Sequence, residues 1–454
     1  MKISVLEINK LHGLYNYHVE FNPDLTFLYG LNGCGKTTVL NIIEAIISGR
    51  LYELYAWNFD CIKLDYYDDN SDEKNIYTIY VYYIEENLCV KWKNENITVV
   101  HDTFVRTCEN TETYEDFVFV MDSRYPVLRS IKNEFNYVYL PLNRNSTNRL
   151  NIAFFERYGR LKRRRSFYNE WDDRVLSREE RIGRTAMLVR KKYAEASARV
   201  AEINDEFRNK VLKSLLSTNT IVTDTNFANF LTDSIKRLDV DSIHNQYFKL
   251  LNSLGILDEA EKLKFNKFFS DYKNYVDQFI NKNCTSKGVP ISLSILFGYH
   301  EIEKMRTVIP LAQEMEAKKA RVLERIKTFI EVMNSFIQNH VEDKRLYLDE
   351  TGKIKFWIEG KGDVDITTDN LSSGEKQLLI FFANLIFGVE QGSSSIFVVD
   401  EPELSLHLSW QKDFVEKANQ VNENMQLIFA THAPEIVGKY RSKMFKLEKK
   451  SSLR

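Results

Sequence analysis

The glycine-rich run GLNGCGKT, from Gly30 to Thr37, has residue types and spacing that could bind phosphate groups. It fits the pattern G-x-x-x-x-G-K-[ST] and lies between a segment typical of a strand and a segment typical of a helix. Glycines in such a run let consecutive backbone N–H groups face one anion at the positive end of the helix. Lys36 would reach the β- and γ-phosphates of a nucleotide, and the Thr37 hydroxyl would bind Mg²⁺. The residues that we expect to contact the nucleotide are Asn32, Gly33, Cys34, Gly35, Lys36, Thr37 and Thr38.

A second group of chemically capable residues follows the apolar run IFVV, where Asp400 and Glu401 stand side by side. Two acids after a strand are common at a solvated strand end. Together with the glycine-rich run, however, they predict a site for hydrolysis. Asp400 would hold Mg²⁺ through its hydration shell, and Glu401 would polarise the attacking water. The metal residues predicted are therefore Thr37 and Asp400.

The segment LSSGEKQ, from Leu371 to Gln377, predicts the start of a helix. A serine before a helix and a glutamate in its first turn are ordinary capping residues. The free N–H groups and the helix dipole at such a start also attract anions. Since one chain does not need a second phosphate site for the same nucleotide, we expect this start to contact a nucleotide held by another protomer. The residues expected in that contact are Ser372, Ser373, Gly374 and Glu375.

A single histidine, His432, follows the apolar run MQLIFAT. A lone histidine is more often structural, but one that follows a strand beside the Asp400 strand can reach the γ-phosphate. The predicted catalytic residues are therefore Glu401 and His432. The intervening segment PELSLH, from Pro402 to His407, is expected to form the turn beside Glu401.

The elements that must position these residues fall into three predicted segments. Residues 1–145 are rich in aromatic and β-branched runs, including NIYTIYVYYI and FVFV, which predict strands. Residues 146–345 contain little glycine or proline and show helical spacing, with a short antiparallel helical hairpin expected. Residues 346–454 return to alternating helices and apolar strands, which predicts a parallel sheet covered on both faces.

Composition restricts the class of protein and its surroundings. The chain has 454 residues, of which 44% are hydrophobic, enough for a large core. A formal net charge of −2 gives no general attraction to nucleic acid. The scattered cysteines and the lack of a long apolar stretch predict a cytoplasmic protein with no membrane partner. A local basic and aromatic stretch, Arg157 to Tyr168, could still bind DNA or RNA; the alternative is a solvated surface that pairs with Glu170 to Asp173.

The four motifs, in this order, resemble the ABC-type ATPase heads of the SMC/RecF/OLD superfamily. The resemblance implies an α/β fold, a P-loop NTPase head with mixed sheets and flanking helices, interrupted by a large α-helical insertion. It also implies ATP and Mg²⁺ as cofactors and a homodimer, or a higher oligomer, in which two heads enclose two ATP molecules. Ser372 and Gly374 would act on the partner's nucleotide, while the residues acting on the chain's own nucleotide would be Lys36, Thr37, Asp400, Glu401 and His432. A Q-loop glutamine has no clear counterpart, and the turn near Asn143 and Arg144 is the place expected for it.

Within that superfamily, the C-terminal motifs look like the Septu and retron-associated ATPases of bacterial anti-phage defence. This resemblance implies a slow ATPase that regulates a separate nuclease subunit of the HNH type. No HNH-like cluster of histidine and asparagine stands in the sequence, so no nuclease domain is expected in this chain. The alternatives are a RecF-like recombination and repair ATPase, or a scaffold that binds ATP with little turnover.

Overall fold

A computed structural model describes residues 1–69, 75–111, 114–141, 178–216, 233–253, 257–285, 292–338, 344–360, 362–365, 371–389, 394–421 and 424–451. Two predictions fall outside these ranges. They are the basic and aromatic stretch from Arg157 to Tyr168 and the Q-loop position near Asn143 and Arg144.

The strands of the described residues are mostly short and strongly apolar. In chain order they are β1 (Lys2–Leu11), β2 (Tyr15–Glu20), β3 (Leu25–Tyr29), β4 (Cys61–Tyr67), β5 (Ile76–Ile84), β6 (Asn87–Trp92), β7 (Glu95–Val99), β8 (Tyr137–Pro141), β9 (Lys344–Leu348), β10 (Ile354–Ile358), β11 (Gly362–Asp365), β12 (Ser395–Asp400), β13 (Met425–Thr431), β14 (Met444–Lys446) and β15 (Lys450–Ser451).

The helices range from a single turn to more than ten turns. In chain order they are α1 (Lys36–Ile47), α2 (His101–Asn110), α3 (Tyr114–Arg124), α4 (Pro126–Glu134), α5 (Arg178–Leu216), α6 (Val240–Ser253), α7 (Glu259–Thr285), α8 (Leu293–Ile337), α9 (Ser373–Phe387), α10 (Leu408–Val421) and α11 (Pro434–Val437). Short 3₁₀ turns cover Leu51–Ala56 and Arg441–Lys443. In the described parts of the chain, we find no helix with both the length and the apolar composition needed to cross a bilayer.

The central sheet of the first compact unit is parallel, with strand order β14-β3-β13-β12-β8. Every residue of β12 and β13 is buried, as expected for strands covered on both faces. In a parallel sheet the carboxyl ends of neighbouring strands meet at one edge. The segments that follow β3, β12 and β13 therefore begin side by side, and these segments carry the glycine-rich run, Glu401 and His432. The predicted parallel sheet is confirmed.

A second sheet is antiparallel, with strand order β15-β2-β1-β4-β5-β6-β7. Gln426 on β13 connects the two sheets through its fully buried side-chain amide. Its Oε1 atom accepts the Ile3 N–H at 2.8 Å, and its Nε2 atom donates to the carbonyls of Ile3 and Asn22 at 2.7 and 2.8 Å. Because a buried amide without partners is costly, this complete set of bonds fixes β1 against the parallel sheet. Helix α1 belongs to the core that forms with these strands and is buried along most of its length.

The predicted strand FVFV, residues 117–120, is wrong, because these residues lie in helix α3. Phe117 and Met121 are buried four residues apart, whereas Phe119 is 73% exposed. Phe117 packs edge-on against Tyr52 and Phe104. Four aromatic and β-branched residues fit a strand and a helix equally well over so short a span, so packing against these rings decides the conformation.

The chain divides into two compact units, residues 1–194 with 325–454, and residues 195–324. In the second unit α5 and α8 run antiparallel, since Glu206, Lys210 and Ser214 of α5 contact Lys318, Glu314 and Thr307 of α8 in that order. The expected helical hairpin is thus confirmed. The predicted segments 1–145, 146–345 and 346–454 stay a prediction of domain organisation, and the two units divide inside α5 and α8.

The aromatic stripe of α7, within Lys264 to Ile280, forms the core of the second unit. Phe269, Tyr272 and Phe279 are buried there together with residues of α6 and α8. The stripe is therefore a packing surface, as its helical spacing predicts. The α/β fold with flanking helices and a large helical insertion is confirmed.

Candidate functional site

The glycine-rich run joins β3 to α1 by a loop whose backbone requires glycine at two positions. Gly33 and Gly35 have φ angles of 77° and 101°, in the left-handed region that side chains disfavour. At Gly35 a Cβ atom would also lie 2.6 Å from the Tyr17 hydroxyl. Tyr17, on β2, donates a hydrogen bond to the Cys34 carbonyl at 3.0 Å. The antiparallel sheet therefore fixes the course of the loop.

Helix α1 begins without a side-chain cap, since its N-cap residue is Gly35. The first N–H groups of a helix have no partners within the helix and need a side chain, water or a ligand. Asn32 and Gly33 are exposed, Cys34 and Gly35 are half-buried, and Thr37 and Thr38 follow in the first turn. The structure thus places the predicted phosphate-binding residues around an accessible, uncapped helix start. Such a start attracts an anion.

Lys36, the first residue of α1, is 5% exposed, and its side chain reaches back to the glycine-rich loop. Its Nζ donates to the Gly30 carbonyl at 3.0 Å and lies 3.2 Å from Nδ1 of His432. His432 follows directly after β13, so the ends of two neighbouring strands bring the lysine and the histidine together. An ammonium group in these surroundings could exchange its present contacts for phosphate oxygens, which carry negative charge and bind it more strongly.

Thr37 and Asp400 meet although they are far apart in sequence. The Thr37 hydroxyl donates to Oδ2 of Asp400 at 2.9 Å. Asp400 is 1% exposed, and among the described residues its Oδ1 atom has no hydrogen-bond partner. Burial raises the pKa of the Asp400 carboxyl to about 7; nearby Glu401 and Glu403 add to the increase, while Thr37 and Lys36 oppose it. A buried carboxylate oxygen beside a hydroxyl fits Mg²⁺, which prefers few protein ligands and oxygen donors.

Glu401 follows Asp400 in a left-handed conformation, with φ of 54°. Its backbone N–H donates to the Ala430 carbonyl at 2.8 Å, which continues the pairing of β12 with β13 for one residue. Its carboxylate lies 3.8 Å from Nε2 of His432. A non-glycine residue in this region carries backbone strain, which proteins tolerate mostly at functional sites. The conformation turns the chain at the end of β12, where Glu401 lies beside the Lys36–His432 pair.

The segment LSSGEKQ starts helix α9 with a complete capping box. Ser372 is the N-cap; its Oγ accepts the Glu375 N–H at 3.2 Å, and Glu375 accepts the Ser372 N–H at 2.7 Å. Lys344 pairs with the same glutamate at 2.8 Å. A Cβ atom at Gly374 would lie 2.7 Å from the Ser405 carbonyl, so the glycine allows α9 to approach the turn after Glu401. The predicted cap geometry is present, and its action on a partner's nucleotide stays a prediction.

The structure brings five of the predicted residues into one cluster and places four others at the start of α9. The cluster comprises Lys36, Thr37, Asp400, Glu401 and His432. Ser372, Ser373, Gly374 and Glu375 belong to α9 and its cap, next to the turn after β12. The functional roles of all these residues stay predictions.

Three residues of the site escaped the sequence analysis. Tyr17 fixes the glycine-rich loop, Glu403 accepts the backbone N–H of His432, and Gln377 donates to the Pro402 carbonyl. In the sequence Tyr17 looks like any aromatic residue of a half-buried strand, so nothing there indicates its contact with the glycine-rich loop. Glu403 lies inside the predicted turn PELSLH, and its acidic type there was the available signal.

Comparisons with known proteins find ATPases similar to this chain. The model of the AAA ATPase domain family matches residues 1–437. The probable ATPase of retron Vc95 from Vibrio cholerae serotype O1 biovar El Tor is 25% identical over 217 residues, which cover 42% of this chain and 41% of that protein. The probable ATPase of retron Ec83 from Escherichia coli is 28% identical over 88 residues, covering 17% and 16%. The match thus spans about two fifths or less of each relative.

A structural comparison finds the Smc head domain of Pyrococcus furiosus, with an extended coiled coil and bound to the C-terminal domain of ScpA. The TM-score is 0.40 at 11% identity, and the alignment covers 99% of this chain and 95% of that chain. The expected ATPase domain and the likeness to retron ATPases are confirmed, and the narrower likeness to Septu stays a prediction. Because the family model matches far more than half of the residues of this chain, the chain belongs to the AAA ATPase domain family.

Proposed function

We propose that this chain binds ATP with Mg²⁺ and hydrolyses it at the cluster around Lys36 and Asp400. The observation that carries the proposal is the 2.9 Å hydrogen bond from Thr37 to Asp400, which joins the start of α1 to the end of β12. It places two oxygen donors suited to Mg²⁺ beside a lysine suited to phosphate. A glycine-rich turn of purely structural origin would not need this pairing.

Each residue of the cluster has a role in this proposal. The uncapped N–H groups of α1 and the Lys36 ammonium bind the β- and γ-phosphates. Thr37 and Asp400 hold Mg²⁺, which neutralises phosphate charge and orients the phosphate chain. Glu401 orients the attacking water and accepts its proton. His432, placed between Lys36 and Glu401, donates a hydrogen bond toward the γ-phosphate.

The proposed site is completed by a second copy of the chain. Ser372 and Gly374 at the start of α9 would face the nucleotide bound to the partner, so that two heads enclose two ATP molecules. The position of α9 supports this arrangement, since its start packs against the turn after Glu401 and has a dipole that favours an anion. ATP would then link the heads, and hydrolysis would release them.

The relatives support a role in defence against phage. Two curated relatives, from Vibrio cholerae and Escherichia coli, are probable ATPases of retrons. We propose that this chain acts in the cytoplasm as a slow ATPase that regulates a separate nuclease subunit of the HNH type, as in Septu. Two alternatives are a RecF-like recombination and repair ATPase and a scaffold that binds ATP with little turnover.

Replacing Glu401, the residue proposed to orient the attacking water, tests the proposal that the chain hydrolyses ATP. Glu401→Gln should lower kcat for ATP hydrolysis by about 100-fold, while ATP affinity by calorimetry changes less than threefold. Glu416→Gln, which changes an exposed glutamate on α10, is the matched control and should keep wild-type kcat. Turnover and phage protection that survive Glu401→Gln unchanged would favour the scaffold alternative. Loss of phage protection together with turnover would favour the regulated ATPase.

A further inference from the structure

Glu403, in the turn after β12, connects that turn to the residue that follows β13. Its Oε1 atom accepts the backbone N–H of His432 at 2.7 Å. Its Oε2 atom is buried, and among the residues that the structure describes it has no hydrogen-bond partner. Strand β13 ends at Thr431, so His432 lies just beyond its sheet pairing. The carboxylate therefore holds the backbone where the strand no longer does.

We propose that Glu403 is a positioning residue for His432, whose backbone it fixes so that the imidazole stays between Lys36 and Glu401. This proposal rests on the proposed ATPase function for its kinetic consequence, but the contact itself is a property of the protein alone. The imidazole has Nδ1 at 3.2 Å from Lys36 Nζ and Nε2 at 3.8 Å from the Glu401 carboxylate. A small rotation of the His432 backbone would move the imidazole away from both Lys36 and Glu401.

The backbone is held on both sides of His432. Glu403 binds its N–H, and the Thr431 hydroxyl accepts the N–H of Ala433 at 3.0 Å. Two side-chain acceptors therefore fix the peptide groups on either side of the imidazole. Precise placement of this kind is what a group acting on a transferring phosphoryl needs, since a displacement of about 1 Å can cost about 100-fold in rate.

The turn that carries Glu403 is itself rigid. The Leu404 N–H donates to the Glu401 carbonyl at 3.2 Å, and the Leu406 N–H donates to the Glu403 carbonyl at 3.1 Å. Gln377, buried on α9, donates to the Pro402 carbonyl at 2.7 Å. The carboxylate of Glu403 thus extends from a fixed turn, so it can hold the His432 backbone in place.

Stability alone does not explain a carboxylate at this position. Glu403 adds negative charge close to Asp400, and its buried Oε2 atom has no hydrogen-bond partner within the described part of the chain. A buried polar atom without a partner destabilises the folded state. Since the charge and the buried oxygen both cost stability, the bond to the His432 backbone indicates that Glu403 serves the site rather than the fold.

A double-mutant cycle with His432 tests the proposal. Glu403→Ala should lower kcat about tenfold with little change in KM, since an unfixed imidazole affects the reaction more than binding. Glu403→Gln keeps an acceptor of the same length and should recover most of that loss. In a His432→Ala background, Glu403→Ala should have less than a twofold further effect, because a residue that acts through His432 has nothing left to position. Glu435→Ala, an exposed glutamate on α11, is the control.

Two results would overturn the proposal. One is a tenfold loss on Glu403→Ala that persists in the His432→Ala background, which would mean that Glu403 acts on its own. The other comes from NMR of ¹⁵N-labelled histidine without nucleotide, with the His432 signals identified by their absence in His432→Ala. Those signals should shift in Glu403→Ala and much less in Glu403→Gln; identical spectra for wild type and Glu403→Ala would refute the contact. Because this readout needs no ATP, it decides the matter even if the wild-type protein does not hydrolyse ATP.

Discussion

Helices α1 and α9 both begin at segments that the sequence marks as anion sites, but the two helix starts are built differently. Helix α1 follows Gly35 and has no side-chain cap. Its first residue, Lys36, donates a hydrogen bond to the glycine-rich loop. α9 follows Ser372 and has a complete capping box, reinforced by the pair between Lys344 and Glu375. The start of α1 is thus left for a ligand, while at the start of α9 the side chains of Ser372 and Glu375 bond two of the backbone N–H groups.

This difference indicates how the two starts would respond to nucleotide. The N–H groups at the start of α1 gain partners when phosphate binds, so ligand should stabilise that region. The start of α9 is already formed without ligand, because Ser372 and Glu375 bond each other's backbone N–H groups. It can therefore meet a partner's nucleotide with little rearrangement. Substitutions at each helix start test this difference.

The largest effect is expected at the start of α1. Lys36→Ala should weaken ATP binding by at least about 100-fold, since it removes a charge-assisted contact to two phosphates. It should also abolish the thermal stabilisation of the protein by ATP. Isothermal calorimetry measures the affinity, and Lys439→Ala, an exposed lysine paired with Glu416, is the control. Unchanged affinity in Lys36→Ala would contradict the site.

A different outcome is expected at the start of α9. Ser372→Arg should keep ATP affinity within about threefold but prevent ATP-dependent dimerisation, because a large cation would stand where the partner's nucleotide is proposed to lie. Light scattering after size exclusion measures the dimer. Ser372→Ala separates the cap from the interface, since it should cost about 1 kcal/mol of helix stability without blocking the dimer sterically. Loss of ATP binding to single chains in Ser372→Arg would contradict action on the partner.

The third prediction concerns pH and the carboxylate that faces the start of α1. The pKa of Asp400 is raised from 3.8 to about 7, so the metal-free folded protein retains a proton that the unfolded chain releases. This contribution to stability is complete below pH 3.8 and is lost as the pH rises through about 7. Asp400→Asn should therefore raise Tm, on the order of 5 °C at pH 8 and less at pH 5. Calorimetry in EDTA measures both, and exposed Asp413→Asn should show no such pH-dependent gain.

The smallest effect is expected from the loop that precedes α1. Tyr17→Phe removes the hydrogen bond to the Cys34 carbonyl but keeps the ring in place. One neutral hydrogen bond contributes about 1 kcal/mol, so ATP affinity should fall about threefold to fivefold. Tyr15→Phe, two residues earlier on the same strand, should have no effect on affinity. Equal affinities for wild type and Tyr17→Phe would show that the loop keeps its course without the antiparallel sheet.

Much of the site was predictable because its residues stand in short local patterns. Gly30 to Thr37, Asp400 with Glu401, and the cap at Ser372 each combine a secondary-structure boundary with a chemical group. Such patterns can be recognised in a sequence because a loop or a helix start is specified by a few consecutive residues. The error at FVFV has the opposite origin. Four residues carry too little periodicity, and the packing of Phe117 on Tyr52 and Phe104 decided the outcome.

The amino-acid sequence alone shows which chemical groups are available and at which strand ends and helix starts they stand. Only the tertiary structure decided which groups meet, because the parallel order of β3, β13 and β12 brings three distant strand ends to one edge. That arrangement places Thr37 against Asp400 and Lys36 against His432. It also gives Tyr17 and Glu403 their contacts, because both depend on long-range packing that a local sequence pattern does not specify.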